Sequence, residues 1–544
     1  MNDVDEMEEF WTKEINKCLD QCAPWKQRQI KQKRCSLPKD IQEVIKKKKQ
    51  LHKVHQINVL NGNVDLEVQK QLKKHMNYCN KLIKKAVREN NGTNITSKSS
   101  INEIWNCIND ILKPENTGKN TIKIETENQL IEDPNELAEK FNLFFKEKIE
   151  NLSAGIKKDV DVDPFSKLRE KHLGSNLNFK LKTVSEKEVL KILKTMKQKR
   201  SYGVDGISSE VLKLGAEVLV VPLTYIINFS IVTGKYPTNW KLAKVIPLFK
   251  KGDKKLLKNY RPVSLLSVAG MVLERIFAIQ VEEHFESDKL FGEFQFGFRK
   301  NKSTISELLT LFDSIMEAKE DKKEILVLLY DLSSAFDTVS SEILLSKLKI
   351  YGFDNHALKW MKSYMDGRKQ QVTISGKMSS IQEMNTGTPQ GSRLSPLLFI
   401  CLMADMNLWI ENSKLSNFAD DTQSIVISDT VEEALEITAK EANNVISFFG
   451  CNNLVNNANK AAVLYNSKGT GRQITLENIG GENINSTDTE KLLGLHLNSG
   501  FGWKTHVDKI SIDLKRRIGL LRRIRNRVPI NKLVIIAEIF STQE

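Results

Sequence analysis

The sequence lacks an apolar segment after Met1 and holds few cysteines for its length. A secretory signal peptide requires an apolar stretch near the N-terminus, so we expect an intracellular protein of the nucleus or the cytoplasm. Seven scattered cysteines, an odd number, indicate a reducing compartment. Cys18 and Cys22 lie four residues apart, but no pair of Cys or His at ligand spacing lies nearby, which argues against a zinc site.

Long uninterrupted apolar runs are missing as well. The two longest, near residues 218–232 and 394–410, contain Pro222, Asn228 or Asp405. We therefore expect core helices at both places and no membrane-spanning segment. Since 40% of the 544 residues are apolar, the chain can bury a large core and can form more than one domain.

The positive charge of the chain is concentrated in one segment. The formal net charge is +14, and residues 24–88 alone hold 18 Lys and Arg against 4 Asp and Glu. A helical segment of this kind binds nucleic-acid backbones through release of counterions, although a solvated basic hairpin without a ligand would have the same composition. The run Lys46–Lys49 is also typical of a nuclear import signal.

Two adjacent carboxylates occur in an apolar setting, at Asp420 and Asp421, just before the β-forming run 424–427. Neighbouring carboxylates repel each other, and burial of either one without a partner raises its pKa or destabilises the fold. A divalent cation would offset the charge. A solvated hairpin turn would also accommodate the pair, because Asp is common in turns.

A third carboxylate favours the metal. Residues 325–330 are almost wholly apolar, which predicts a buried strand, and Asp331 follows directly. If this strand meets the strand that carries Asp420 and Asp421, three carboxylates converge. Such a set can hold two Mg²⁺ ions that clamp the attacking and leaving oxygens of a phosphoryl transfer.

The motifs around these acids resemble the palm of reverse transcriptases from non-LTR (LINE-type, jockey-like) retrotransposons. Residues 330–337 (YDLSSAFD) resemble the first palm motif, residues 418–421 (FADD) the aromatic-x-Asp-Asp motif, and residues 387–399 (GTPQGSRLSPLLF) the Pro-Gln-Gly loop with its following helix. Further blocks occur in the family's order at residues 201–207, 259–266, 295–299 and 491–497, followed by Trp503 and His506. Tyr202 departs from the family's usual proline. The resemblance covers roughly residues 185 to 510.

The resemblance implies an α+β, right-hand polymerase fold with fingers, palm and a partial thumb, preceded by a basic α-helical N-terminal region. On this basis we expect a basic region at 1–125, a connecting segment at 126–184, fingers at 185–320, a palm at 321–500 and a partial thumb at 501–544. The reverse transcriptase domain as a whole would cover about 230–500.

The resemblance also implies roles for individual residues. Asp331 and Asp420 would hold both Mg²⁺ ions, with Mn²⁺ as a substitute, while Asp421 assists and the Leu332 carbonyl is a further ligand. Lys460 would act as a general acid near the leaving pyrophosphate, although it could equally be a surface lysine. The remaining residues would bind the nucleotide: Phe336 beneath the sugar or simply in the core, Gln390 and Gly391 along the nascent base pair, and Arg261, Lys244 and Lys250 at the triphosphate.

The function implied is RNA-directed DNA synthesis from a primer 3′-hydroxyl, with an RNA template, a DNA primer and dNTPs as partners. The basic helices begin too early for an endonuclease to precede them, so a separate endonuclease is an expected partner. The alternative is a catalytically inactive element remnant that binds RNA. An intron maturase shares the palm but normally carries a downstream DNA-binding or nuclease segment.

Overall fold

The computed structural model describes residues 3–24, 38–61, 65–93, 95–97, 99, 101–112, 122–125, 130–156, 163–467 and 473–541. Residues 25–37 and 62–64 of the predicted basic segment lie outside this part of the chain. Two compact units form: unit 1 comprises Met1–Trp25 and Thr121–Thr505, and unit 2 comprises Lys26–Asn120 and His506–Glu544.

The helices of the described residues are α1 (Val4–Cys22), α2 (Lys39–Leu60), α3 (Leu66–Gly92), α4 (Ile101–Leu112), α5 (Pro134–Ala154), α6 (Ser166–Lys171), α7 (Glu186–Thr195), α8 (Ser209–Leu214), α9 (Ala216–Thr233), α10 (Val268–Ser287), α11 (Thr304–Glu320), α12 (Ser341–Ile350), α13 (Asn355–Met365), α14 (Ser395–Met403), α15 (Val431–Cys451), α16 (Lys504–Ile524) and α17 (Ile530–Ser541). The strands are β1 (Ile124–Glu125), β2 (Leu130–Ile131), β3 (Leu242–Phe249), β4 (Tyr260–Leu265), β5 (Glu324–Tyr330), β6 (Arg368–Ile374), β7 (Lys377–Met378), β8 (Gln382–Met384), β9 (Lys414–Phe418), β10 (Asp421–Ser428), β11 (Ala462–Ser467), β12 (Thr475–Ile479), β13 (Glu482–Asn485), β14 (Thr489–Leu492) and β15 (Leu495–Asn498).

The central sheet of unit 1 has the antiparallel order β11-β5-β10-β9. Strand β5, one of the two inner strands, is buried along nearly its whole length, as the apolar run 325–330 predicts. Both neighbours satisfy its backbone groups, and apolar residues face both sides of the sheet, which explains why this strand lacks the alternation of a half-exposed one. The apolar helix α14 belongs to the same core.

A second sheet of unit 1 is built from β4-β3-β6-β7, with β8 also paired to β6. Strands β3 and β4 form an antiparallel hairpin, in which Leu248 lies opposite Arg261, whereas β3 and β6 are parallel. Helix α5 packs against this sheet through Phe141 and Phe145. The hairpin therefore carries the predicted nucleotide-binding cations Lys244 and Arg261, with Lys250 directly after β3.

Among the described residues, α9 is the one helix long and apolar enough to cross a membrane, and 44% of it is buried inside the protein. Its buried side chains, such as Leu223, Ile227 and Ile231, belong to the main core of unit 1. The structure thus places the stretch 218–232 in a core helix, as predicted.

Helix α1 belongs to unit 1, so the predicted N-terminal region 1–125 is divided between the two units. Its inner face buries Trp11 and Ile15 in the main core. Glu8 accepts hydrogen bonds from Trp240 Nε1 at 3.1 Å and from Asn239 Nδ2 at 2.7 Å. These contacts tie α1 to the segment before β3.

Unit 2 combines two segments that are far apart in the sequence, residues 26–120 and 506–544. Apolar residues of α4, among them Ile104 and Ile108, share one core with Ile524, Ile536 and Phe540 of α16 and α17. The rings of Trp105 and Phe540 lie 5.2 Å apart. At the end of α3, Arg88 Nε donates to the Val528 carbonyl at 2.9 Å. The basic hairpin of α2 and α3 and the basic helix α16 are therefore parts of one folding unit.

The packing of α1 yields a prediction about stability. Trp11→Ala should lower the free energy of unfolding by about 3–5 kcal/mol, because it leaves a cavity in the core. Phe10→Ala is the matched control, since Phe10 is 53% exposed and its loss should cost less than about 1 kcal/mol. Urea unfolding followed by circular dichroism measures both, and equal effects of the two variants would show that α1 is not part of the core.

Candidate active site

The predicted acids meet at one end of the central sheet. Tyr330 of β5 pairs with Thr422 of β10, so Asp331 and Asp421 come next along the two antiparallel strands. On the other side of β5, Ala462 of β11 pairs with Leu329, which brings Lys460 beside Asp331. The strand order therefore brings together side chains that are about a hundred residues apart in the sequence.

Asp420 lies in the tight turn between β9 and β10. Ala419 in the same turn has a φ of +62°, a left-handed conformation that a side chain disfavours. The block 294–297 braces this turn: Asn417 exchanges backbone hydrogen bonds of 2.9 and 2.8 Å with Phe294 and Phe296. A Cβ on Gly297 would collide with the backbone nitrogen of Ala419, so glycine is required for this close approach.

The acids of this turn have raised pKa values. Burial, followed by the charge of Asp331, raises the pKa of Asp420, and Arg261 opposes this shift. Asp421 is exposed as a whole residue, but its carboxyl group is partly desolvated by the surrounding protein. This desolvation raises the pKa of Asp421, and the charges of Asp420 and Asp331 raise it further. The fold thus keeps three carboxylates close together although they repel one another, and a bound cation would relieve this repulsion.

Asp331 has partners of its own. Its Oδ2 accepts hydrogen bonds from Lys460 Nζ at 2.9 Å and from Asn457 Nδ2 at 3.1 Å. Lys460 is 63% exposed and Asp331 39% exposed. Asn457 was not predicted as a site residue, although it lies in the same sequence block as Lys460. Leu332 forms an isolated antiparallel bridge with Asn456, and its role as a ligand stays a prediction.

The donor set suits a hard divalent cation, since it consists of carboxylate oxygens that repel one another. Across the part of the chain that the structure describes, no three His, Cys, Asp or Glu side chains already converge on one point as metal ligands. Asp331 is turned towards Lys460 and Asn457 instead. Both hydrogen bonds end on Asp331 Oδ2, so Oδ1 is the oxygen that could hold an ion without displacing either partner.

Two of the three predicted triphosphate-binding cations lie near these acids. The charges of Arg261 and Lys460 lie close enough to Lys250 to lower its pKa, after the effect of desolvation, while Asp331 acts in the opposite direction. The Nζ of Lys244 lies 4.5 Å from the centre of the Tyr202 ring. The charges of Lys250, Arg261 and Lys460 thus act on one another and on the acids, whereas the contact of Lys244 is with Tyr202.

Phe336 and Gln390 have well-defined neighbours. The Phe336 ring lies 5.0 Å from the ring of Phe399 and 6.4 Å from that of Phe298, and the residue is half-buried. Gln390 Nε2 donates to the carboxylate of Asp337. Asp337 is the last residue of the motif at 330–337, and no role was predicted for it. Gly391 has a φ of +126° and lies against the Ser264 carbonyl.

A buried carboxylate next to the turn was not predicted from the sequence. Glu307 of α11 accepts hydrogen bonds from Ser416 Oγ at 2.8 Å and from Gln423 Nε2 at 3.1 Å. Burial, and to a smaller extent the charge of Asp421, raises its pKa to about 7. Its neighbours are distant in sequence, so no local pattern signals it.

Residues 249–497 match the family described as "Reverse transcriptase (RNA-dependent DNA polymerase)". The chain is also similar to the probable RNA-directed DNA polymerase from transposon BS of Drosophila melanogaster, with 29% identity over 47% of this chain and 29% of the relative. The RNA-directed DNA polymerase from mobile element jockey of Drosophila funebris is 26% identical over 66% of this chain and 41% of the relative. The probable RNA-directed DNA polymerase from transposon X-element of Drosophila melanogaster is 30% identical over 43% of this chain and 26% of the relative.

The chain thus spans between 26% and 41% of the length of these curated relatives. Among solved structures, apo telomerase from Candida tropicalis aligns with a TM-score of 0.35 at 12% identity, over 48% of this chain and 54% of that one. The family match and the relatives confirm the predicted resemblance to reverse transcriptases of non-LTR retrotransposons. They are consistent with an α+β polymerase fold, and enzymes of this family use divalent metal ions.

The repulsion at the turn predicts a trade-off between stability and function. Without metal, Asp420→Asn should raise the melting temperature by on the order of 1–2 °C near pH 7. The folded-state pKa of Asp420 is raised, so ionisation of this carboxyl group destabilises the folded protein. The destabilisation is absent below the ordinary pKa of about 3.9 and is complete only above the raised pKa. The advantage of the variant should therefore grow as the pH rises.

Thermal unfolding in EDTA at several pH values measures this difference. Asp429→Asn is the matched control, because that carboxylate is 78% exposed and its ion pair with Lys323 spans 3.4 Å. A variant at position 420 that melts below the wild type at pH 7 would contradict the repulsion.

Proposed function

We propose that this chain, whose residues 249–497 form a reverse transcriptase domain like those of non-LTR retrotransposons, is an RNA-directed DNA polymerase. The observation that supports this best is the convergence of Asp331, Asp420 and Asp421 at one end of the central sheet, beside Lys460. The cations Lys250 and Arg261 of the second sheet lie close enough for their charges to act on this group. Acids and cations at adjacent positions fit a reaction in which a metal-bound phosphate is displaced.

The two sheets of unit 1 support a division of this unit into the parts of a right hand. The sheet with β5 and β10 would be the palm, within 321–500, and the sheet with β3 and β4 would belong to the fingers, within 185–320. Helices α16 and α17 would form part of the thumb, within 501–544. RNA template, DNA primer and dNTPs would be the partners.

Asp331 and Asp420 would hold two Mg²⁺ ions, with Asp421 assisting, and Mn²⁺ could take their place. When bound, the ions would lower the pKa of the primer 3′-hydroxyl and stabilise charge on the reacting phosphate. The side chains of this chain then orient the reactants. Arg261, whose planar guanidinium suits two-point contact with phosphate, and Lys250 would bind the triphosphate.

Lys460 would supply the proton that the leaving pyrophosphate accepts. Its ammonium donates to Asp331 Oδ2, which holds the proton donor beside the acids that would bind the ions. Phe336 would exclude a 2′-hydroxyl from the incoming nucleotide, and its packing between Phe399 and Phe298 would keep the ring in place. Gln390 and Gly391 would lie beside the nascent base pair.

Outside this site, the basic segment 24–88 would bind RNA through its backbone. In the described part of the segment, the lysines of α3 at positions 70, 73, 74, 81, 84 and 85 are exposed. Exposed cations that neutralise phosphates release counterions and give binding that weakens with salt. RNA binding without synthesis is the alternative function, and it needs this segment alone.

Removal of one acid tests the proposal. Asp331→Asn should reduce primer extension on poly(rA)/oligo(dT) with Mg²⁺ by at least about a thousandfold, because the variant loses a charge that the reacting phosphate requires. RNA binding should be nearly unchanged. Asp429→Asn serves as the control for expression and folding, and a variant at 331 that keeps more than about a tenth of wild-type extension would refute the assignment.

The placement of the cations gives a second test. Arg261→Ala should raise the KM for dNTP roughly tenfold, since a charge-assisted hydrogen bond to the triphosphate is lost. Lys244→Ala should leave this KM within about twofold, because the ammonium of Lys244 is engaged by the Tyr202 ring. Steady-state extension at varied dNTP concentration measures both. A larger effect at position 244 than at position 261 would show that the triphosphate binds elsewhere.

A further inference from the structure

The loop 387–395, which carries Gln390 and Gly391, is held along the segment that follows Asp331. Gly387 N donates to the Val339 carbonyl at 2.9 Å, and Thr388 N donates to the Phe336 carbonyl at 2.8 Å. Gly387 has a φ of +82°, and a Cβ there would collide with the backbone of Asp337. The loop is therefore bonded directly to the segment that carries the first palm motif.

Two further anchors hold the other side of this loop. Ser264 N of β4 donates to the Gln390 carbonyl at 3.0 Å. Fully buried Glu274 of α10 accepts from Ser392 Oγ at 2.7 Å and from Arg393 N at 2.8 Å. The backbone of Gln390 is thus fixed independently of its own side chain.

The side chain of Gln390 has one strong partner. Its Nε2 donates to Oδ1 and Oδ2 of Asp337 at 2.9 and 3.0 Å, and Asp337 is only 9% exposed. Burial raises the pKa of Asp337, and the bond from Gln390 is the first contact that opposes this shift. The bond therefore favours the ionised carboxylate, which can only accept hydrogen bonds.

An acceptor-only partner dictates how the amide is oriented. If the Gln390 amide turned by 180°, its Oε1 would face the two carboxylate oxygens of Asp337. All three oxygen atoms carry negative charge and none has a proton to share, so they would repel one another. With Nε2 turned inward, Oε1 is the atom left over. Across the described residues Oε1 has no hydrogen-bond donor, and it is not among the buried unpaired atoms.

We infer that Asp337 is a positioning residue, which fixes the Gln390 amide so that Oε1 is presented to the incoming nucleotide as a hydrogen-bond acceptor. This inference rests on the proposed function, because it concerns how the same site reads its nucleotide. The chemistry that Oε1 recognises is a donor, either a hydroxyl of the sugar or an amino group of a base. An amide free to turn would present a donor half of the time and would lose this discrimination.

The test replaces Asp337 by a residue of the same shape that both donates and accepts. In Asp337→Asn the amide of Gln390 can bond in either orientation, so Oε1 faces the nucleotide about half of the time and the Kd of the correct dNTP should rise about twofold. Binding is measured in a ternary complex of protein, template and a primer with a dideoxy end, so that no chemistry is required. The kcat on a normal primer should change less than the KM.

Glu274→Gln is the matched control, since it also converts a buried anchoring carboxylate of this loop into an amide but leaves Gln390 untouched. It should change the melting temperature without raising the Kd of dNTP.

An exchange of the two side-chain types adds a rescue experiment. Gln390→Glu places two carboxylates face to face and should weaken dNTP binding further, whereas Asp337→Asn combined with Gln390→Glu restores one donor and one acceptor and should bind dNTP more tightly than Gln390→Glu alone.

The outcomes separate the inference from the proposed function. An unchanged Kd in Asp337→Asn, an equal rise in Glu274→Gln, or no rescue in the double variant would overturn the positioning role while wild-type extension still supports a polymerase. A wild-type protein that neither forms the ternary complex nor extends a primer would overturn both.

Discussion

Electrostatic repulsion among Asp331, Asp420 and Asp421 is the constraint around which the rest of unit 1 is arranged. The antiparallel pairing of β5 and β10 forces two of these carboxylates to adjacent positions, and a tight turn adds the third. Cations lie on both sides: Lys460 on the β11 side of Asp331, and Arg261 near Asp420. The braced turn prevents the acids from separating. An arrangement that costs stability in this way is typical of a functional site.

The loop 387–395 connects this centre to its surroundings. It is bonded to the segment after Asp331, to β4 and to α10, so the acids, the cation-bearing hairpin and a core helix share one set of contacts. A shift of β4 would be transmitted directly to Gln390. Close packing of this kind leaves few alternative arrangements.

Much of the site could be predicted from the sequence, since its determinants are local. The apolar run 325–330 specifies a buried strand, and the acid at its end needs compensation. The clustering of Lys250 and Arg261 follows from one hairpin. What could not be predicted depends on side-chain direction or on long-range packing. Lys244 lies on the same hairpin but contacts Tyr202, and the Asp337 side chain turns to Gln390, a residue 53 positions away. The sequence also did not predict that region 1–125 is divided between two units. The division depends on helices that pair across more than 400 residues, and such pairing leaves no local pattern in the sequence.

Unit 2 has a consequence for how the protein is made. Its core needs Ile104 and Ile108 from α4 and Ile524 and Ile536 from α16 and α17. At a synthesis rate of about 5–20 residues per second, the second half emerges from the ribosome roughly 20–80 seconds after the first. During that interval the apolar face of α4 has no partner from its own unit, and it is open to chaperones and to aggregation with other nascent chains. The order of synthesis therefore makes unit 2 the last part of the protein to fold, whatever the speed at which unit 1 collapses.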